Sequence, residues 1–268
     1  MITMKINGVT KRFEDYGFRA SLEHVVSFGE SAHSSLSIPG RPGAFLYNQE
    51  IAPTSFAVAL TMVENDEIRA IGNINNLISY LFDDEAKARE ITLVMDYEPD
   101  KYRKGYIIGG LEAVRNSIMT RQQLQFICYD PYKYSNVEND DVTWGSEELT
   151  FLSTAYTLGH TNTSANFSVI GPSSISVEVI GLAIKPVIEI SGTATNLVID
   201  NKGKKLHVGS FATSQVSVDT GKYIAYKNGT ETMIDMDDFL LNRGTNVVKF
   251  TGTDINITVT IRFRDRWK

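Results

Sequence analysis

The sequence is poor in the residues that build covalent cross-links and metal sites. Its 268 residues include one cysteine, Cys128, two tryptophans and four histidines. A single cysteine excludes an intrachain disulfide framework and a zinc site built from cysteines, and it agrees with folding in a reducing compartment. The histidines stand at positions 24, 33, 160 and 207. None of these spacings is that of a local metal-binding pair, so we predict no metal site from them.

Long apolar runs and the common catalytic motifs are also missing. No run approaches the roughly 20 residues that would span a bilayer, and Met1–Asn7 lack the basic-then-apolar layout of a signal peptide. The sequence contains no phosphate loop, dinucleotide fingerprint or Gly-x-Ser-x-Gly elbow. The acidic run Asp235–Asp238 lacks the glycine and glutamate that an EF-hand requires. We therefore expect a globular chain made in the cytoplasm, without membrane insertion, enzyme activity, catalytic residues or cofactors.

The charge of the chain is small and unevenly distributed. Twenty-six Lys and Arg against 32 Asp and Glu give a net charge of −6, which argues against direct nucleic-acid recognition. Residues 135–165 carry five acids and no Lys or Arg. A block of one sign among loop-forming residues is typical of a solvated connection. We predict an N-terminal domain over 1–135, an acidic connection over 136–165 and a C-terminal domain over 166–268.

The first domain is predicted to be β-rich with one helix. Phe56, Val58, Leu60 and Met62 alternate with small or polar residues, which is the pattern of a strand with one buried face. The period then changes, and a helix is predicted over about 66–82, with Asn65 as its N-cap. Six residues at spacings of three and four form its predicted buried stripe: Ile68, Ile71, Ile74, Leu77, Ile78 and Leu81.

The last hundred residues are predicted to be entirely β. Short alternating runs recur between clusters of Gly, Asn, Asp, Ser and Thr, and Ile255–Phe263 alternates strictly over nine residues. Lys227-Asn228-Gly229-Thr230 has the Asn-Gly signature of a tight hairpin. Regular short strands with such turns indicate an antiparallel β-sandwich.

A Pro-Gly-rich turn is the most distinctive local feature of the first domain. Two prolines and two glycines fall within the five residues Pro39-Gly40-Arg41-Pro42-Gly43, and strand-like residues flank them, with Phe45 and Leu46 on the second arm. Two interpretations remain open at this point. The segment is either an ordinary surface loop or a projecting hairpin that packs on a neighbouring subunit.

Together these features resemble the distal tail protein (Dit) family of siphophage-type tails. The turn at 39–43 resembles the Pro-Gly-rich hairpin of that family's ring-forming domain, and the Asp130-Pro131-Tyr132 segment resembles the end of that domain. In the second domain, residues 185–194 are similar to the family's Pro-x-Ile-x-Ile-x-Gly opening. Residues 241–248 resemble its closing Gly-x-Asn turn. Residues 140–183 follow no pattern of the family.

The resemblance implies a structural protein of the virion, at the distal end of the tail. It implies a homo-hexameric ring formed by the N-terminal domains, and a galectin-like or carbohydrate-module-like C-terminal sandwich. The implied partners are the major tail tube protein, a tail-associated hub or tail fibre protein, the tape measure protein and a receptor-binding protein. Synthesis would take place in the cytoplasm of the host bacterium. On this basis the hairpin residues Pro39–Gly43, Phe45 and Leu46 are predicted to lie at a subunit interface.

Two other classes of function remain as alternatives. One is a carbohydrate-binding adhesion module, in which Trp144, Tyr223 or Tyr226 stacks on sugar rings or contacts a partner. The other is a hydrolase whose catalytic residues converge only in space. A stable ring in solution would favour the tail protein, whereas a monomer that binds polysaccharide would favour the adhesion module.

Overall fold

The computed structural model describes residues 2–21, 31–110, 113–116, 118–139 and 166–268, together with Ser153 and Tyr156. The chain divides into two compact units, unit 1 (Met1–Lys133 with Lys268) and unit 2 (Tyr134–Trp267). The structure is mainly β, with antiparallel sheets and one α-helix in the described residues. The prediction of a mainly β protein with one helix is confirmed.

Unit 1 is built on one large antiparallel sheet and a separate two-stranded hairpin. Its strands are β1 Ile2–Ile6, β2 Val9–Arg12, β3 Phe18–Ala20, β4 Ser31–Ser37, β5 Ala44–Ile51, β6 Thr54–Val63, β7 Ile91–Met95, β8 Glu98–Ile108, β9 Ala113–Asn116 and β10 Met119–Cys128. A 3-10 turn, Phe13–Tyr16, follows β2, and helix α1, Glu67–Leu81, follows β6. The large sheet has the order β2-β1-β7-β8-β10-β6-β3, with β9 also paired to β10.

The centre of unit 1 is the antiparallel pair β6–β10, which is in register over ten residue pairs. Phe56 lies opposite Phe126 and Val58 opposite Leu124, so the apolar positions of both strands point to the same face. The rings of Phe56 and Phe126 are stacked, with their centroids 5.4 Å apart. The predicted buried positions of β6 are all buried, because strict alternation places every second side chain in the core.

Helix α1 covers the apolar face of this sheet. Ala70, Leu77 and Leu81 are buried in the same core cluster as the strand residues. The N-cap is Asp66, whose Oδ1 accepts from the backbone N–H of Ile68 at 2.9 Å. The prediction of Asn65 as the cap is therefore wrong by one residue. Asp and Asn are equally good caps, and the local sequence does not separate them.

The apolar stripe predicted for the helix is only partly buried. Leu77 and Leu81 lie in the core and Ile74 packs against it, but Ile68 is 83% exposed and Ile71 is 50% exposed. The buried face begins at Ala70 and continues to Leu77 and Leu81. A pattern of large apolar residues does not predict the burial of Ala70, because alanine adds little to such a pattern. Helix α1 thus carries two isoleucines on its outer side.

Unit 2 is built on one antiparallel sheet of eight strands. They are β12 Phe167–Ile170, β13 Ser173–Val179, β14 Val187–Asn201, β15 Lys204–Asp219, β16 Ile224–Lys227, β17 Thr230–Thr232, β18 Asp235–Met236 and β19 Gly244–Arg262. Two short strands lie outside this sheet: β20, Arg266–Trp267, and β11, Lys133–Ser135, which contains the boundary between the units. The order is β12-β19-β14-β15-β16-β17, with β13 beside β19 and β18 beside β15. The predicted hairpin turn at Asn228-Gly229 joins β16 to β17, with both residues at positive φ.

The long strands of unit 2 bend where their register shifts. The pairing of β14 with both β15 and β19 slips between Gly192 and Val198. Such bulges kink a strand and let it form the corner of a folded sheet. Several runs predicted as separate short strands, such as Val187–Ile190 and Leu197–Ile199, are consequently the two arms of one strand.

The beginning of the predicted acidic connection is part of unit 2. Ser135, Val137 and Asn139 are buried, and Asn139 exchanges hydrogen bonds with the backbone of Ile261 and Phe263. The expectation of a solvated segment is wrong for residues 135–139, because their short polar side chains and backbone pair with a strand more than 120 residues away. Apart from Ser153 and Tyr156, the connection from 140 to 165 lies outside the described residues.

Gly192 marks the tightest part of the bend and gives a stability prediction. Its φ is +131°, and a Cβ at this position would meet the backbone carbonyl of Asn256. Gly192→Ala should therefore destabilise unit 2 by about 2 kcal/mol or more, measured by thermal or urea unfolding. Gly203→Ala is the control, since Gly203 also has positive φ but open space around it. If Gly192→Ala and Gly203→Ala lose equal free energy of unfolding, the close approach of the Asn256 carbonyl to Gly192 does not contribute to the loss.

Candidate functional site

The hairpin β4–β5 is the most exposed regular element of unit 1. Its strands pair with each other and with no other described strand, and all eight residues of β5 are exposed. Leu36 lies directly opposite Phe45, and Ser35 opposite Leu46. Phe45 is 46% exposed and Leu46 is 58% exposed. The predicted hairpin is therefore present, and apolar side chains occupy its arms without cover from the described chain.

The tip of the hairpin is a stiff turn over residues 38–43. The backbone N–H of Arg41 donates to the carbonyl of Ile38 at 3.1 Å. Gly40 and Gly43 have φ values of +82° and +90°, which side-chain-bearing residues rarely adopt. Pro39 and Pro42 fix φ at their own positions. The turn therefore presents its side chains in one arrangement and loses little entropy on binding.

Arg41 is placed directly over the aromatic ring of the second arm. Its guanidinium carbon lies 4.5 Å from the centroid of Phe45, a cation–π contact. Leu36 shares this face because it is the cross-strand partner of Phe45. We call Leu36, Arg41 and Phe45 the hairpin face. It combines an apolar surface with one positive charge, which is the composition of a protein contact and not of a catalytic site.

A second exposed apolar surface lies on helix α1 and was missed in the sequence. Ile68 and Ile71 project from the first turns, and Gly72 beside them has no atom within 4 Å of the position of a Cβ. From Ala70 to Leu81 the helix contains no charged residue. A solvent-facing helix surface normally carries charges. The absence of charged residues from 70 to 81 is the feature of the sequence that could have indicated an apolar outer surface on this helix.

The structure describes two of the three residues predicted to contact saccharide, Tyr223 and Tyr226. Trp144 lies outside the described residues. The hydroxyl of Tyr223 donates to Asp238 at 2.7 Å, and the ammonium of Lys185 lies 4.4 Å over its ring, so one ring face is covered. Tyr226 lines a cavity of about 20 Å³, far below the volume of a ligand pocket.

Titratable groups of catalytic type are scattered in the described residues. His33 and His207 are exposed on β4 and β15, and the described part of the chain holds no cluster of three or more metal-binding side chains. Burial raises the pKa of the Cys128 thiol, which keeps the sulfur in its unreactive protonated form. No helix in the described part of the chain is long and apolar enough to cross a membrane.

One charged cluster of unit 1 is partly buried. The carboxylate of Glu98 accepts from Lys133 at 2.7 Å and from Lys101 at 3.1 Å. Burial opposes the ionisation of Glu98, but the two hydrogen bonds outweigh it and lower the pKa of this carboxyl. The cluster ties the start of β8 to the end of unit 1. It is a network of two ion pairs that share one carboxylate.

The chain is similar to phage tail proteins in part of its sequence and in its fold. Residues 11–128 match the family of the phage tail protein RIFT-related domain. This range extends from β2 to the end of β10 and includes the hairpin and α1. Most of unit 1 is therefore similar to the RIFT-related domain of phage tail proteins. A comparison with proteins of curated function finds no match.

The whole chain also has the fold of a distal tail protein. The SPP1 Dit protein, described as a paradigm of the hub adsorption apparatus in phages that infect Gram-positive bacteria, is 17% identical, with a TM-score of 0.70 and 100% of both chains covered. Two structures of the phage p2 baseplate, in its activated conformation with Sr and with Ca, give TM-scores of 0.44 and 0.38. Their sequence identities to this chain are 9% and 10%. The alignments cover 98% and 100% of this chain, and 98% of each baseplate chain. The resemblance to distal tail proteins found in the sequence is confirmed.

The Glu98 cluster gives a pH-dependent prediction. Because the pKa of Glu98 is lower in the folded state than its ordinary value of 4.5, its ionised form stabilises unit 1 above that pH. The contribution is lost as the pH falls through the lowered value. Glu98→Gln should cost about 1–2 kcal/mol at pH 7, because the charge-assisted hydrogen bonds from Lys133 and Lys101 to the Glu98 carboxylate are lost.

Thermal unfolding at pH 7 and at about pH 3 measures this effect, and the difference between Glu98→Gln and the parent should shrink at the lower pH. Glu90→Gln is the matched control, since the Glu90–Lys104 pair is half exposed and worth well under about 1 kcal/mol. A loss at pH 7 no greater than that of the control would contradict the assigned role of Glu98.

Proposed function

We propose that this protein is a structural subunit of the distal end of a siphophage-type tail and that six copies form a closed ring there. The observation that carries the proposal is the shared fold with SPP1 Dit over the full length of both chains, combined with the RIFT-related domain over residues 11–128. The described residues add no arrangement of catalytic groups. The proposed role is therefore assembly, as the similarity to the hub protein SPP1 Dit suggests.

The ring would connect the tail tube to the proteins that attach the virion to its host. In this proposal unit 1 forms the ring and contacts the major tail tube protein. A tail-associated hub or tail fibre protein, and with it the tape measure and receptor-binding proteins, occupies the distal side. Unit 2 is a β domain with its own core, of which Ile188, Leu197 and Phe250 are members. An independent core suits a domain that faces outward from a ring.

The hairpin face suits a subunit contact on physical grounds. Exposed apolar side chains on a stiff turn gain free energy when a partner covers them, about 25 cal/mol for each Å² of apolar surface. A closed ring needs heterologous contacts, in which two different patches of the same subunit meet. Pro39–Gly43, Phe45 and Leu46 supply one such patch. The proposal therefore requires a second and different patch elsewhere on the subunit.

The mass of the protein in solution tests the ring. Six chains of 29.8 kDa give about 179 kDa, which light scattering coupled to size exclusion separates clearly from a monomer. Negative-stain images of the same sample should show six-fold rings. A monomer at all accessible concentrations would contradict the proposal. A monomer that also shifts on cell-wall polysaccharide would favour the adhesion module instead.

The double variant Phe45→Glu and Leu46→Glu tests the role of the hairpin. Both side chains are exposed, so the charges should leave the fold of unit 1 intact and yield monomers, because each ring contact would bury two carboxylates. The control is Ile170→Glu with Met233→Glu, which places two charges at exposed apolar positions of unit 2. Hexamers of the hairpin variant with the parent's stability would remove the hairpin from the interface.

A further inference from the structure

The outer surface of helix α1 has an apolar and glycine-containing composition that no contact within the described chain accounts for. Gly72 costs about 1 kcal/mol relative to alanine inside a helix, yet nothing in the described chain occupies the space that its side chain would fill. Ile68 and Ile71 lie beside it in the open, and Asn75 and Ser79 continue the same side without charge. We call these five residues the helix face. A shallow notch at Gly72 between exposed isoleucines allows close approach of another backbone or ring.

The helix face also has a distinct electrostatic border. Glu64, Asp66 and Glu67 surround the first turn, against the single cation Arg69. Asp66 is used as the cap, whereas Glu67 makes no hydrogen bond or ion pair among the described residues. An uncharged centre with charge at the rim is the composition of a protein interface. The rim of this interface is negative.

The hairpin face has the complementary composition. It is apolar through Leu36 and Phe45, and Arg41 is the only fully charged residue between Ser31 and Tyr47. Arg41 stands beside Phe45, just as Glu67 stands beside Ile68. The hairpin face protrudes and carries a positive charge, whereas the helix face has a notch and a negative rim. The two surfaces are therefore complementary in shape and in charge. Both surfaces lie within unit 1, so every subunit carries one of each.

We propose that the hairpin face of one subunit docks on the helix face of the next subunit in the ring. This inference rests on the proposed function, and it supplies the second patch that a heterologous ring requires. In this contact Phe45 and Leu36 cover Ile68, Ile71 and the notch at Gly72. Arg41 reaches the carboxylate of Glu67. Repetition of the same contact around the ring closes it without any further type of interface.

Site-directed cross-linking tests the pairing directly. Cys128 is buried, so an introduced cysteine is the accessible thiol of the described chain. Mixed rings of Phe45→Cys and Ile71→Cys chains, treated with a short bis-maleimide, should give a covalent dimer of one chain of each kind. A single chain with both substitutions should give a ladder of up to six. Ile170→Cys in unit 2 is the control partner for Phe45→Cys, since Ile170 is 78% exposed against 50% for Ile71 and is thus at least as accessible to the reagent.

Two outcomes of the cross-linking would overturn the docking contact. Dimers from Phe45→Cys alone would indicate that two hairpins meet each other. Equal yields with Ile71→Cys and Ile170→Cys would show that the reaction does not depend on the helix face. If the parent protein remains monomeric, the proposed ring is contradicted, and this result does not depend on the cross-linking yields.

The variant Gly72→Gln distinguishes an effect on ring assembly from an effect on the stability of the folded subunit. Glutamine is a better helix former than glycine and finds open space, so the isolated subunit should become more stable to heat. The longer side chain fills the notch, so the concentration at which half of the rings dissociate should rise about tenfold or more. Unchanged ring stability in a more heat-stable variant would reject the helix face. If Phe45→Glu with Leu46→Glu still gives monomers, the proposed ring and hairpin contact survive that rejection.

Discussion

The register of β6 against β10 is the constraint on which unit 1 depends. Ten consecutive antiparallel pairs align the apolar positions of both strands on one face, and a slip of one residue would turn every one of those side chains toward solvent. Helix α1 can cover the sheet only because that face is continuous from Phe56 to Met62. The hairpin β4–β5 does not take part in this sheet and forms a separate two-stranded sheet.

Regular patterns made much of the fold predictable from the sequence. The alternation in β6, the change of period at α1 and the Pro-Gly turn at 39–43 each arise from local rules of side-chain spacing and backbone conformation. The Asn228-Gly229 turn belongs to the same class, since only residues that tolerate positive φ suit it. Local rules of this kind identify elements and turns well.

Features that depend on distant parts of the chain were not predictable in the same way. The exposure of Ile68 and Ile71 is decided by how α1 is rotated on the sheet, and a spacing pattern alone does not fix that rotation. The burial of Asn139 depends on a strand far along the chain, and the bend at Gly192 depends on two neighbouring strands at once. For the candidate site, the sequence predicted the hairpin but gave no sign of the exposed surface of helix α1 beyond the missing charges.

The pairing of Asn139 with Phe263 has a consequence for how the subunit is made. The two residues are 124 positions apart, so during translation the first strand segment of unit 2 emerges long before the strand that completes it. Unit 1 has all of its described strands available early and can fold while the ribosome is still producing unit 2. A prematurely terminated chain that stops before this strand would keep unit 2 open and sensitive to proteases. Completion of the core of unit 2 therefore waits for the last strands of the chain.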